Sequence, residues 1–348
     1  MISVNARATT GPRNPFQPLV IERRDLGAHD VLIDIAFAGI CHSDIHTARN
    51  EWGEALFPLV PGHEIAGTIA SVGASVTKFA VGDRAGVGCF VDSCRECENC
   101  RKGEEQHCLN KTIWTYNTRD KDGRPTYGGY SQQIVVDENY ALRLPDSIGL
   151  DAAAPLMCAG ITMYSPLRRY HTEPGKSVAI LGMGGLGHMG VKIAHAMGAE
   201  VTVLSQSLSK QADGLRLGAD HYFATGDSDT FDKLGRSFDV IVSTLSANVE
   251  LGPYLDLLKL DGAFVNVGMP EHALEIPPGA LVQRRAVVTG SLIGGIAETQ
   301  EMLDFCAQHG LGSEVEVIGA DQIDEAYDRV VNSDVRYRFV IDTATMSA

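Results

Sequence analysis

The sequence predicts an α/β chain of two units: a doubly wound parallel sheet behind a glycine turn, and a β-rich unit from which a cysteine lobe projects. Three observations carry this reading. From Ser177 onward, apolar strand patterns alternate with helical ones. The turn Gly182-Met-Gly184-Gly185-Leu186-Gly187 falls between the first of those strands and the first of those helices. The stretch from Cys94 through Cys97 and Cys100 to Cys108 packs four of the chain's eight cysteines into fifteen residues.

At 348 residues the chain is long enough for about two domains. A formal charge of −15 argues against nucleic acid or an anionic membrane as partner, since the long-range field repels phosphate. The first thirty residues hold no signal-peptide core, and no apolar run reaches the length of a bilayer span. A cytoplasmic address is therefore expected. Thiols stay reduced there, so clustered cysteines read as metal ligands rather than disulfides.

In chain order, the first region is broken by Gly and Pro into short β-like runs at 31–37, 65–72 and 133–136. The texture changes near Asp151, where 151–165 is helical apart from its Pro and Gly breaks. Strands are then expected at 177–181, 200–204, 239–243, 263–267 and 286–293. Helices are expected at 187–197, 209–217, 251–260 and 298–307, which is the alternation of βαβ units and a parallel sheet. The predicted division is 1–155, with the lobe at about 89–112, then 156–293, then a segment 294–348 returning to the first unit.

Four sulfurs in one loop suit a structural zinc, held tetrahedrally at about 2.3 Å per bond. The first three cysteines share the C-x2-C-x2-C spacing of bacterial ferredoxins. Those continue with x3-C-P, whereas here seven residues precede Cys108 and no proline follows it. Zinc is the expectation. The glycine turn sits where a dinucleotide pyrophosphate binds: Gly182, Gly184, Gly185, Leu186 and Gly187 give a tight turn, close backbone approach and a helix N-terminus. An NAD site wants a carboxylate at the end of the next strand for the ribose 2′-hydroxyl. This chain instead reads Ser205-Gln206-Ser207-Leu-Ser-Lys210, with no acid between Glu200 and Asp213. Hydroxyls and a lysine can bind a 2′-phosphate that a carboxylate would repel, so NADP(H) is favoured.

Three further pieces are Cys41-His42-Ser43-Asp44-Ile-His46, Pro61-Gly-His63-Glu64 and Met157-Cys158-Ala-Gly160. A catalytic zinc needs three protein ligands and an open position, and Cys41, His63 and Cys158 could form a Cys2His set. Spacing alone does not select them, because a lone cysteine in an apolar helix is more often a buried core thiol.

These motifs, in this order with the cysteine lobe and GMGGLG, resemble the zinc-dependent medium-chain alcohol dehydrogenases. CHSDIH, WTYN, PTYGGYS and the serine-rich stretch after the second cofactor strand resemble its cinnamyl alcohol dehydrogenase subgroup and bacterial relatives. The resemblance covers essentially the whole chain. It implies a GroES-like catalytic domain and a Rossmann domain, with the active site in the cleft between them and two zinc ions per chain. It implies Cys41, His63 and Cys158 as catalytic zinc ligands and Cys94, Cys97, Cys100 and Cys108 as the structural set. Glu64 matches the acid behind the metal, Asp44 the carboxylate orienting the zinc histidine, and Ser43 with His46 the proton relay. His42 is expected near the pyrophosphate. The tryptophans Trp52 and Trp114 resemble pocket-lining positions, which favours an aromatic or medium-chain aldehyde, with reduction as the main direction. Gln206 departs from the Arg or Lys often found there, which implies a looser grip on the 2′-phosphate. A homodimer through 286–293, or a tetramer, is the implied assembly.

Three other readings compete with this one. A polyol dehydrogenase wants polar groups around its substrate and usually NAD. A quinone-reductase-like enzyme would lack the zinc ligands. A zinc-binding redox sensor would explain the thiols but leave His63, Ser43, His46 and the glycine turn without a purpose. Cys89 and Cys306 carry no assigned role.

Overall fold

The computed structural model describes residues 1–227 and 229–347. The chain divides into two compact units, Ala159–Ile293 and Met1–Cys158 with the segment from Gly294 onward.

The first of these is a parallel six-stranded sheet. Its spatial order is His221–Ala224, Glu200–Ser205, Ser177–Leu181, Phe238–Ser243, Leu258–Asn266 and Val287–Gly290. Every neighbouring pair is parallel. That is the doubly wound dinucleotide-binding order, with the strand order reversing beside the first strand. The two central strands, SVAIL and FDVIVS, are almost wholly buried, as a sheet covered on both faces requires. The core of this unit gathers Leu181, Ile241, Leu255 and Phe264.

Element ends differ from the sequence expectation where a glycine or a tight turn intervenes. The helix begins at Gly185 and runs to Ala196, because the glycines of the turn carry on into its first turn. The helix expected at 251–260 stops at Leu255, and a strand takes over at Leu258 and runs to Asn266. The helix at 209–217 is a short 3-10 turn, Leu208–Lys210, followed by Gln211–Arg216. The edge strand is shorter than 286–293, spanning Val287–Gly290. His221–Ala224 is too short for its periodicity to show in the sequence.

The second unit is built on a mostly antiparallel sheet. Its order is Val315–Ile318, Arg338–Asp342, Asp30–Gly39, Ile65–Val72, Arg84–Val87 and Leu142–Arg143, with Gln133–Asp137 also paired to Asp30–Gly39. The hairpin of Ile2–Ala8 and Gln17–Arg23 lies apart from this sheet. The region 151–165 is not one helix. A turn at Leu150–Ala153 passes into a 3-10 turn, Ala154–Met157, and the helix Ala159–Arg169 starts afresh. Cys158 sits in the break, at φ −128° and ψ −65°.

Candidate active site

Three neighbouring strands set the site. Asp30–Gly39 ends just before Cys41, Ile65–Val72 begins just after Glu64, and Ala38 pairs with Ile65 across them. Arg338 opens the strand Arg338–Asp342, whose Val340 pairs with Gly39. Cys41, His63, Glu64 and Arg338 are thus delivered to one end of the sheet by register alone. Cys158 arrives from the broken helical segment, where Met157 packs so closely that a side chain at Gly86 would come within 2.8 Å of its sulfur.

The ligating atoms of Cys41, His63, Glu64 and Cys158 all lie within 4.8 Å of one another, and all four residues are buried. Cys41 Sγ and Cys158 Sγ are 3.9 Å apart. Two sulfurs at about 2.3 Å from one tetrahedral metal stand about 3.8 Å apart, so the pair fits zinc. Asp44 lies behind the histidine. Its Oδ1 accepts from His63 Nδ1 at 3.0 Å and from the Gly62 amide at 3.1 Å, and its Oδ2 accepts from the Cys41 amide at 2.9 Å. With Nδ1–H committed to a carboxylate, Nε2 of His63 carries the lone pair a metal needs.

Glu64 lies across Gly39, where a Cβ would meet its Oε2 at 2.0 Å. Arg338 Nη2 hydrogen-bonds Glu64 Oε1, while Oε2 is buried with no partner among the described residues. Burial pushes the Glu64 carboxyl up to about 8, against the pull of Arg338. The sequence reading missed Arg338. The one signal was an arginine opening an otherwise apolar strand, RFVI, which must end up buried.

Cys41 precedes the helix His42–Ala48, which carries the remaining candidates. Ser43 Oγ is 3.7 Å from Cys41 Sγ. His46 Nδ1 is 2.6 Å from Glu51 Oε2, whereas its Nε2 is buried without a partner among the described residues. Trp52 stacks on His46 at 4.7 Å between ring centres while remaining 48% exposed. His42 is on the exposed face of the helix, 5.8 Å from the His46 ring. Trp114 meets Phe90 edge to face at 6.5 Å. Cys89, half-buried, is near Met157 O at 3.9 Å. Cys306 is a buried thiol beside Met302, at 3.6 Å from its sulfur.

In the lobe, Cys94, Cys97, Cys100 and Cys108 also converge within 4.8 Å. Sulfur separations of 3.5 Å for Cys97–Cys100 and 3.9 Å for Cys94–Cys100 again match the tetrahedral edge. Backbone amides from Cys100 and Leu109 point at Cys97 Sγ and pull that thiol down to about 6. A thiolate is the form that binds metal.

In the other unit, the glycine turn has the shape a pyrophosphate needs. Gly182 adopts φ +99°, and a Cβ at Gly187 would fall 2.0 Å from Gly182 O, so both positions need glycine. A Cβ at Gly184 meets nothing within 4 Å, which leaves open space over the N-terminus of the helix Gly185–Ala196. Lys210 Nζ donates to Met183 O at 3.1 Å, which places its charge at the same turn. Ser205 ends its strand, while Gln206 and Ser207 are exposed after it and Ser207 Oγ is 3.0 Å from Ser209 Oγ.

Comparison with known proteins agrees along the chain. The alcohol dehydrogenase GroES-like domain matches residues 27–146 and the zinc-binding dehydrogenase domain matches 185–308. An NADP-dependent alcohol dehydrogenase C of Mycolicibacterium smegmatis is 62% identical over 99% of both chains. A cinnamyl alcohol dehydrogenase of Sorghum bicolor superposes with TM-score 0.97 at 43% identity, covering 100% of both chains. The CAD of Helicobacter pylori, solved in complex with NADP(H), gives TM-score 0.93 at 42% identity over 99% of both.

Proposed function

The chain belongs to the zinc-dependent medium-chain alcohol dehydrogenases, in the cinnamyl alcohol dehydrogenase-like group, and from that premise we propose that it works mainly as an NADPH-dependent reductase of aromatic or medium-chain aldehydes. It is an oxidoreductase of alcohols and aldehydes that uses NADP(H) and two zinc ions. When bound, zinc supplies Lewis-acid polarisation of a carbonyl and NADPH supplies the hydride.

The chain's own residues do the rest. Cys41, His63 and Cys158 hold the catalytic zinc, and Cys94, Cys97, Cys100 and Cys108 hold the other. The two thiolates would offset the dication's charge, moderating its acidity so that product can leave. Ser43, 3.7 Å from a ligand sulfur, gives its hydroxyl proton to the substrate oxygen. His46, whose Nδ1 is held by Glu51, links that hydroxyl to solvent, from which the transferred proton is replaced. Glu64, with an unpartnered buried oxygen, is a fourth ligand in waiting. Gly182, Gly184, Gly185, Leu186 and Gly187 cradle the pyrophosphate. Ser205, Gln206, Ser207 and Lys210 bind the 2′-phosphate, and His42 is the residue the family resemblance assigns to the pyrophosphate. Trp52 and Trp114 supply the aromatic surface that favours an apolar substrate.

The observation that carries the reading is the convergence of Cys41, His63 and Cys158 with a serine hydroxyl beside them. A homodimer is the proposed assembly, formed across the outer strand Val287–Gly290. Its surroundings expose Val282 at 79% and Leu292 at 47%, an apolar sheet edge that a second copy would cover. No helix among the described residues is long and apolar enough to cross a membrane. A reducing, cytoplasmic setting suits seven metal-binding thiol and imidazole groups that must stay unoxidised.

Cinnamaldehyde reduction by the zinc-replete protein, with NADPH and NADH side by side, tests this directly. Fast NADPH oxidation with little NADH oxidation is expected. A preference for NADH would overturn the 2′-phosphate assignment, and no turnover with either would overturn the substrate class.

A further inference from the structure

Asp44 is a fully buried carboxylate, and the groups described above account for three of its contacts. Tyrosines also face it, Tyr116 among them, and one of them leads further. Tyr130 OH donates to Asp44 Oδ2 at 3.4 Å, and Tyr327 OH donates to Tyr130 OH at 3.4 Å. Both phenols are buried, and the charge of Asp44, after burial itself, pushes each well above the ordinary phenol value, so both stay protonated and able to donate.

Packing fixes the two rings. A Cβ at Gly62, which adopts φ +102°, would come within 2.7 Å of Tyr130 Cδ1. The Tyr130 ring therefore lies on the backbone just before His63. Phe16 clamps both tyrosines, 5.9 Å from the Tyr130 ring and 5.2 Å from that of Tyr327. Its amide is in turn held by Asp324, on the same helix, Ile323–Val331, as Tyr327. A phenylalanine would fill the same volume at position 130. Among the described residues the Tyr130 hydroxyl is hydrogen-bonded to Asp44 and Tyr327, so its burial is repaid by orienting the carboxylate.

We propose that Tyr130 and Tyr327 form a positioning relay, Tyr327 to Tyr130 to Asp44 to His63, that fixes the orientation of the zinc histidine. Tyr130 holds Asp44 Oδ2, which leaves Oδ1 aimed at His63 Nδ1 and the opposite ring nitrogen aimed at the metal. Tyr327 holds the Tyr130 hydroxyl in place. A helix near the end of the chain, Ile323–Val331, thereby acts on a ligand far earlier in the sequence. The relay rests on the zinc-ligand assignment above, but it makes no use of the substrate or NADP readings.

The test follows zinc release from the two-zinc protein into a chromophoric chelator, in wild type and in Asp44→Asn, Tyr130→Phe, Tyr327→Phe and the double tyrosine variant. The phase that Asp44→Asn accelerates marks the His63 site, and the other marks the cysteine lobe. Outer partners of metal ligands are worth roughly 10- to 100-fold in metal affinity, and the long 3.4 Å contact puts Tyr130 at the low end. Tyr130→Phe is expected to speed the His63-site phase about tenfold with the lobe phase unchanged. Tyr327→Phe moves it less in the same direction, and the double variant is no faster than Tyr130→Phe. Cobalt placed at the His63 site should show a shifted visible band in Tyr130→Phe.

Release at the wild-type rate in Tyr130→Phe overturns the relay, as does equal acceleration of both phases, which marks a merely structural tyrosine. Multiplying effects in the double variant would overturn the coupling between the two hydroxyls. Should Tyr130→Phe fail to fold, wild-type release in Tyr327→Phe overturns it by itself. None of these outcomes depends on aldehyde turnover, so failure of the proposed function and failure of the relay are separable.

Discussion

The chain gathers metal-binding side chains twice, and it does so in opposite ways. The lobe draws Cys94, Cys97, Cys100 and Cys108 from one short loop, and the groups behind the sulfurs are mainly backbone amides of that same loop. The second cluster draws Cys41, His63 and Cys158 from segments far apart, and the groups behind them are side chains: Asp44, Arg338, Tyr130. A local site can be held by its own turns. A site that must leave one position free for chemistry needs ligands fixed from outside, because a closed knot of four sulfurs has no room for a substrate.

The comparison is broken most severely at Cys158. Replacing it by Ala removes a ligand from the dispersed site alone. Turnover is expected to fall by at least about 10³-fold, the several kcal/mol that a Lewis acid supplies, with the lobe zinc retained. Zinc content by mass spectrometry should drop from two per chain to one. Loss of both ions would show that the two sites are not independent. Ser43→Ala comes next. It leaves all ligands in place, and about 10²-fold loss in turnover with two zincs retained would separate proton transfer from metal binding. Undiminished turnover would remove Ser43 from the relay.

The same contrast explains what was legible in sequence. The lobe could be read from spacing because its geometry is local: four thiols in one loop have few other uses. The parallel sheet was legible for the same reason, since SVAIL, the glycine turn and the following helix are consecutive. Cys158 was not, because its position depends on a helix broken at that residue and on contact with the sheet through Met157. Only the resemblance singled it out. Arg338 and Tyr130 were missed altogether as functional groups. Arg338 reaches Glu64 through the pairing of strands that lie some three hundred residues apart, and no local pattern encodes that register. Glu51 was missed although it follows His46 by only five residues, because the turn that brings it back carries no periodic signature.

Cys97→Ser tests the lobe from its own side. Cys97 Sγ receives amides from Cys100 and Leu109, so replacing the sulfur removes a ligand and weakens two backbone anchors. The loop should become open to limited proteolysis within residues 94–112, with a drop in melting temperature of several degrees. Turnover should fall only a few-fold while the His63 site keeps its zinc. A loss as large as that of Cys158→Ala would mean that the lobe takes part in chemistry, and the division drawn here would fail.

The finest cut is at Ser93, where the lobe does use a side chain. Its Oγ is 3.2 Å from Cys100 Sγ and 2.7 Å from Tyr140 OH, and Tyr140 in turn lies under Arg95 at 5.0 Å. This hydroxyl chain echoes the one behind Asp44, but it ends on a sulfur of a closed site, so nothing it positions is asked to react. Ser93→Ala should therefore cost about 1 kcal/mol of stability, the value of one hydrogen bond lost from a buried pair, and leave turnover unchanged. Thermal melting beside a standard aldehyde assay measures both. The informative result is the ratio between this variant and Tyr130→Phe. A hydroxyl behind a structural sulfur should register in melting alone, and one behind a catalytic histidine's carboxylate in the release of its metal. If Ser93→Ala lowered turnover while leaving the melting temperature in place, the lobe would be tuning the reaction. The separation between a site that holds and a site that reacts would then have to be abandoned.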